Sequence, residues 1–294
     1  MPALHSHTSR LLILITFSSA GEHMDRKRKG KDGKPSRGRY VRKTIIVKNK
    51  AGEFRRVTKY ISGRIGTKDQ KRMKEAPTEE RIKKWQDKRA EDTLWGYLEE
   101  NFNPGDCFFT PTYPPKSRKT SAEVRRDMAD FRKRLRKIYQ KGGIPFKYLM
   151  SVGRGKRGAI HSHWVLPRID TELLEKAWQD VAGTKDCPYP LCNVKHLDRS
   201  GEWSRLAAYM VKNGLETFRS SDPIYKRRYL MSQNLRKPRV KTEIIKAGFW
   251  KPAPRMPRGF SLLSGSLRSD WTGRGYPYQA YTVVKRKDME KLNC

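Results

Sequence analysis

Two imidazoles stand one residue apart in the apolar run Ala159-Ile-His-Ser-His-Trp-Val-Leu166. The run has the composition of a buried strand, and in a strand residues i and i+2 face the same way. His161 and His163 therefore project together, with Ser162 and Trp164 on the opposite face. Two imidazoles so placed can share one divalent metal ion. A second stretch, Trp203-Ser-Arg-Leu-Ala-Ala-Tyr-Met-Val-Lys-Asn-Gly214, has the spacing of an amphipathic helix. It sets Tyr209 and Lys212 on one face, together with Glu202 and Arg205. A phenol ionises near pH 10, so a nucleophilic tyrosine at neutral pH needs a nearby cation, and a lysine one turn on can supply it. Each stretch also has a plainer use: histidines that only fill a sheet, and a half-buried tyrosine on a helix.

Strands and helices of matching pattern surround both stretches. Residues 106–113 read as a strand broken by Pro114-Pro115. Thr120-Ser-Ala-Glu123 is a capping box, and it opens a helix with Val124, Met128, Phe131, Leu135 and Ile138 on one face. Gly142-Gly143 ends that helix, and Arg125, Arg132 and Arg136 lie on its other face. A strand is expected over 146–152, a turn over 153–158 and the histidine strand over 159–166. Asp170 caps a helix that buries Leu173, Leu174, Ala177, Trp178 and Val181 and stops at Gly183. A strand over 191–197 and a helix over 201–213, ended by Gly214, follow. From residue 106 the order β-α-β-β-α-β-α predicts an α+β fold, a mostly antiparallel central sheet flanked by helices.

The 294 residues carry 66 Lys and Arg against 30 Asp and Glu, a net charge of +36. Such an excess points to a polyanionic partner, most simply nucleic acid. With 7 Trp, 13 Tyr and 10 Phe the chain is more than a disordered basic arm. Four scattered cysteines make no disulfide framework, so a cytoplasmic setting is expected. Cys187 and Cys192 with His196 lack an evident fourth zinc ligand. The apolar run 11–17 is too short to span a membrane, and no membrane partner is expected. Residues 1–23 read as an upstream extension ahead of Met24, and 286–294 as a tail. Region 24–90 is basic: 25–90 holds 25 Lys and Arg against 8 Asp and Glu. It contains a plausible hairpin, 44–47 and 55–61 about Asn49–Gly52, and a helix opened by Thr78. A helical stretch near 91–101 follows. No P-loop of the form G-x-x-x-x-G-K-S/T is present, so no fused helicase is expected.

The order of Phe108-Phe-Thr-Pro-Thr-Tyr113, His161-Ser-His163 and Tyr209-Met-Val-Lys212 resembles the three motifs of the HUH endonucleases. The likeness is greatest to the replication initiators of rolling-circle plasmids and phages. Tyr229-Leu-Met-Ser-Gln-Asn-Leu-Arg-Lys-Pro238 and Thr272-Gly-Arg-Gly-Tyr-Pro-Tyr-Gln-Ala-Tyr281 resemble two further segments of that family, so 91–285 reads as the nickase domain. The resemblance implies metal-dependent nicking and joining of single-stranded DNA. Tyr209 would form a 5′-phosphotyrosyl link and free a 3′-hydroxyl for a polymerase. Mg²⁺ or Mn²⁺ on His161 and His163 would polarise the phosphate. Lys212 would orient the nucleophile or support the phosphate. Asn213 occupies the next turn, which looks like the single-tyrosine type. The implied partners are single-stranded origin DNA, presented in a hairpin, and a separate host helicase and polymerase. Thr110 and Thr112 would line the DNA path. Arg125, Arg132, Arg136, Arg154, Lys156 and Arg157 would meet phosphates, making binding salt-dependent.

One position departs from the family. A glutamate commonly stands about eight residues before the first histidine, where this chain has Gly153. Two nitrogens make a poor Mg²⁺ site, because that ion prefers oxygen. Glu202, seven residues before Tyr209, is the expected substitute. A relaxase or single-tyrosine transposase, and a DNA-binding descendant that lost nicking, are the rival readings. A metallo-β-lactamase-like hydrolase would want H-x-H-x-D-H, which His161-Ser-His-Trp-Val-Leu166 does not supply.

Overall fold

The computed structural model describes residues 40–61, 78–114, 117, 119–155, 158–245, 251, 253–273 and 275–286. The extension 1–23, Lys156, Arg157 and all but the first residue of the tail 286–294 lie outside them.

Strands β1 (Tyr40–Asn49) and β2 (Gly52–Ile61) form the expected hairpin. Asn49 closes it, its side-chain oxygen accepting from the N–H groups of Ala51 and Gly52 at 2.9 and 3.2 Å. One continuous helix, α1 (Glu79–Asn101), follows, with Thr78 accepting from the Arg81 N–H. Then come β3 (Cys107–Pro111), α2 (Ser121–Lys141) behind its Thr120/Glu123 capping box, β4 (Leu149–Arg154) and β5 (Ile160–Leu166). Helix α3 (Thr171–Ala182), capped by Asp170, leads to β6 (Cys192–His196) and α4 (Ser204–Phe218). Five strands follow among the described residues: β7 (Leu230–Met231), β8 (Arg239–Ile245), β9 (Ser261–Leu262), β10 (Arg268–Trp271) and β11 (Pro277–Arg286).

The strands make two antiparallel sheets, ordered β6-β3-β5-β4-β7 and β10-β11-β2-β1-β8, with β9 also on β11. The fold is α+β, as the element order predicts. The second sheet goes beyond that expectation. Segments 40–61, 239–245 and 268–286, from both flanks of the central region, assemble it.

Side-chain alternation explains the layering. On the first sheet Met150, Val152, Trp164 and Leu166 point to one face, where Phe131, Leu135 and Trp178 of α2 and α3 cover them. Leu149 and Val165 point to the other, against Leu94 and Leu98 of α1 and Met210 and Val211 of α4. Those helices bury their far sides against Ile45, Val47, Phe54 and Val284 of the second sheet. Helices α1 and α4 are thus sandwiched between sheets. Each side chain of this size buried there contributes about 1.5–3 kcal/mol. No helix among the described residues is long and apolar enough to cross a membrane.

Several boundaries differ from expectation. Strand β4 begins at Leu149, not 146, because side chains after β7 hold the preceding backbone. Asn234 donates to the Phe146 carbonyl, and Ser232 accepts from the Tyr148 N–H. The same strand continues through Gly153 to Arg154, where a turn was expected. Helix α4 starts at Ser204 and runs past Gly214 to Phe218. Gly214 does not stop the helix; it makes room, since a Cβ there would lie 2.0 Å from the Arg228 carbonyl oxygen.

Candidate active site

Strand β5 turns His161, His163 and Val165 toward α4, as the i, i+2 rule requires. The neighbouring strands add partners in two rows. Ser151 of β4 pairs with His163, and Thr110 of β3 brings its hydroxyl to 3.1 Å from His163 Nδ1. Gly153 pairs with His161 on one side, and Thr112 bridges to it on the other.

His163 is 1% exposed. Phe108 stacks on it at 5.6 Å and 9°, and the His161 ring stands 4.9 Å away at 73°. Burial first, and the neighbouring His161 second, push its pKa down to about 3, with the Asn213 amide opposing the shift. The ring is therefore neutral at pH 7. Its Nε2 is buried without a hydrogen-bond partner, and so is the hydroxyl of Ser151 in the same row. An Nδ1–H donated to Thr110 would leave the Nε2 lone pair free, the arrangement a metal-binding histidine needs. The two imidazoles fit a pair of nitrogen ligands. Among the described residues no cluster of three His, Cys, Asp or Glu gathers to complete a metal site.

Tyr209 approaches from α4. Its ring lies 4.9 Å from His163 at 65° and meets Phe108 edge-on at 6.3 Å. It is 45% exposed. Arg205 and Lys212, one turn to either side on the same helix face, are exposed. Neither has an ion-pair partner among the described residues. Asn213 turns its amide back to the Tyr209 carbonyl at 2.8 Å. The start of α4 is held by carboxylates. Glu99 accepts from the Trp203 N–H at 2.6 Å and from Asn49 at 2.8 Å, and burial pushes its carboxyl well above the usual range. Glu202 accepts from the Ser204 N–H and hydroxyl.

The expected site residues divide by layer. His161, His163, Tyr209, Lys212, Thr110 and Thr112 lie between the first sheet and α4 or along that helix. Glu202 does not join them. The helix begins after it, and its carboxylate lies 3.7 Å from Arg56, which stacks over Trp95 and pairs with Asp92. Arg125, Arg132 and Arg136 sit on α2, across the sheet from Tyr209. Arg125 donates to the carbonyls of Pro223 and Ile224, and Arg132 to the Tyr148 hydroxyl. Arg154 is exposed at the end of β4, one position beyond Gly153.

Gly153 itself has a physical explanation. A Cβ there would lie 3.0 Å from the Asn213 carbonyl oxygen and 3.1 Å from His161 Nε2. Helix α4 packs too close for a side chain to extend from this position unopposed. Sequence reasoning missed the stacking of Phe108 on His163, the place of Ser151 in the same row and the closeness of Asn213. The period-2 pattern of β3 and β4 could have signalled the first two, once the register was known.

Residues 106–214 match the family model described as replication-associated protein ORF2/G2P. The matched stretch runs from the start of β3 into α4 and contains His161, His163, Tyr209 and Lys212. No curated protein and no solved structure matches the chain.

Proposed function

We propose that this chain initiates rolling-circle replication by nicking and rejoining single-stranded DNA at an origin, with Tyr209 as nucleophile. One observation carries the reading: an imidazole pair from β5 and a phenol from α4 converge beside the same sheet face, with His163 and Tyr209 4.9 Å apart. The match of this segment to a replication-associated family supports it.

In this reading Tyr209 Oη attacks a backbone phosphorus in line. The Oη–P bond forms as the P–O3′ bond breaks. The phenol loses its proton to solvent, and the departing 3′-oxygen gains one. The products are a 5′-phosphotyrosyl link and a 3′-hydroxyl, which a polymerase extends and which can later reverse the step. Arg205 and Lys212, one turn to either side of Tyr209 and without an ion-pair partner among the described residues, would meet the charge of the scissile phosphate. Mg²⁺ or Mn²⁺, held by His161 and His163, would polarise the scissile phosphate. Thr110 and Phe108 fix the His163 ring. Strand separation and synthesis fall to a separate helicase and polymerase.

The decisive experiment is covalent capture. Single-stranded DNA from the surrounding replicon is incubated with the protein and Mn²⁺ or Mg²⁺, beside Tyr209→Phe, and resolved under denaturing conditions. A metal-dependent adduct mapped to Tyr209 is expected. Gly153, with no acid gathered beside the histidines among the described residues, favours one rival: a DNA-binding descendant that no longer cleaves. Salt-sensitive binding without any adduct would establish that rival.

A further inference from the structure

Beside Tyr209 the surface opens into a groove of about 1120 Å³ between α1, α4 and β10. We propose that this groove is a track for single-stranded DNA, with Trp271 as a base-stacking platform and Arg205, Lys212 and Arg268 as phosphate contacts. The inference rests on reading Tyr209 as the residue that meets a DNA strand.

Size, charge and aromatic placement carry it. At about 1120 Å³ the groove is larger than the roughly 300–1,000 Å³ of a pocket for a drug-sized ligand. Its acids are largely spent on neighbours. Asp87 pairs with Arg219 and Arg228, Glu91 with Lys88, and Asp270 with Lys84. Arg205, Lys212 and Arg268 line the same groove, all exposed, and none has an ion-pair partner among the described residues. The field left over is positive, as a polyanion requires. Two aromatic groups are accessible on opposite walls: Tyr209 on α4 and Trp271 on β10, 45% and 38% exposed. Trp85, packed on Tyr278 at 4.9 Å, adds apolar lining to the same groove. Exposed indole beside unpaired cations is the combination that holds unpaired bases and their backbone. Duplex DNA keeps its base faces stacked and offers Trp271 nothing.

Two of the three walls, α1 and β10, lie outside the segment 106–214 that matches the replication-associated family. The track is therefore assigned from this chain's own residues.

The test uses the full chain and a fluorescent oligonucleotide, read by anisotropy across a salt series. Trp271→Ala should weaken binding about tenfold, within the range for loss of one stacked base. Trp271→Phe should hold affinity within about threefold, which a purely structural tryptophan would not explain. Arg268→Ala should flatten the log–log salt slope by about 0.7, one phosphate contact on a single strand. Unchanged affinity and slope in these variants would overturn the track, as would equal affinity for a duplex of the same length. The adduct assay separates the two readings. Adduct formation with an indifferent Trp271→Ala removes the groove and spares the nuclease. Lost affinity without an adduct in the wild type does the reverse.

Discussion

The rings of Tyr209 and His163 meet edge to face, 4.9 Å between centroids and 65° between planes. The contact anchors one side of the tyrosine and leaves 45% of it exposed, with no hydrogen bond to its hydroxyl among the described residues. Removing that hydroxyl should therefore cost the fold almost nothing. Tyr209→Phe is expected to change unfolding free energy by less than about 0.5 kcal/mol in a urea titration. It should abolish the covalent adduct completely.

Thr110 bonds His163 at Nδ1, so if His161 and His163 hold a metal ion as proposed, its loss should be felt there. Thr110→Val keeps the shape of the side chain but removes the oxygen. Mn²⁺ affinity should fall about 10–100-fold by calorimetry, the usual cost of an orienting partner. Thr110→Ser should restore most of it.

His163 gives stability a pH dependence with a defined sign. Its pKa is about 3 in the folded chain against an ordinary 6.5. Between those values the unfolded chain binds a proton that the folded chain refuses, so stability is lost as pH falls below 6.5. In chelator, the residue should account for about 2 kcal/mol of lost stability between pH 7 and pH 5. Denaturant melts of His163→Gln should show a pH slope shallower by close to one proton.

A carboxylate placed at Gly153, where the family this sequence resembles commonly has glutamate, should not improve the site. Gly153→Glu places a Cβ within 3.0 Å of the Asn213 carbonyl and 3.1 Å of His161 Nε2. The expected result is a lower melting temperature and no gain in Mn²⁺ affinity. A tighter metal site with unchanged stability would refute this account of the glycine.

Gly214→Ala should destabilise despite alanine's better helix propensity, worth about 1 kcal/mol. The new methyl would meet the Arg228 carbonyl oxygen at 2.0 Å. Overpacking against backbone costs about 1–3 kcal/mol, so net loss is expected in thermal melts.

Local patterns carried much of this structure into the sequence. The Thr120–Glu123 capping box, the Asp170 cap and the i, i+2 histidines are short-range signals, and each survives in the fold. Tyr209 was legible for the same reason, since helical spacing alone sets its face. What failed depended on distant chain. Gly214 has the residue type of a helix stop, and only the remote carbonyl of Arg228 gives it another use. Glu202 was counted on the Tyr209 face by spacing, whereas Arg56, far off in β2, draws it away from the histidines. Of the second sheet only the β1–β2 hairpin was legible; its union with β8, β10 and β11 joins both flanks, and pairing across such separations leaves no periodic mark.

That sheet also sets a schedule. Strand β2 ends at Ile61, and its partner β11 begins only at Pro277. On a ribosome adding about 5–20 residues per second, the outer edge of β2 waits roughly 10–40 s for its neighbour. A bare strand edge is a template for pairing with another nascent chain. This hairpin carries Arg42, Lys43, Lys48, Arg55, Arg56 and Lys59, with Glu53 as its one acid. Two such edges repel each other. The charge that suits the finished protein to a polyanion also keeps its unfinished copies apart.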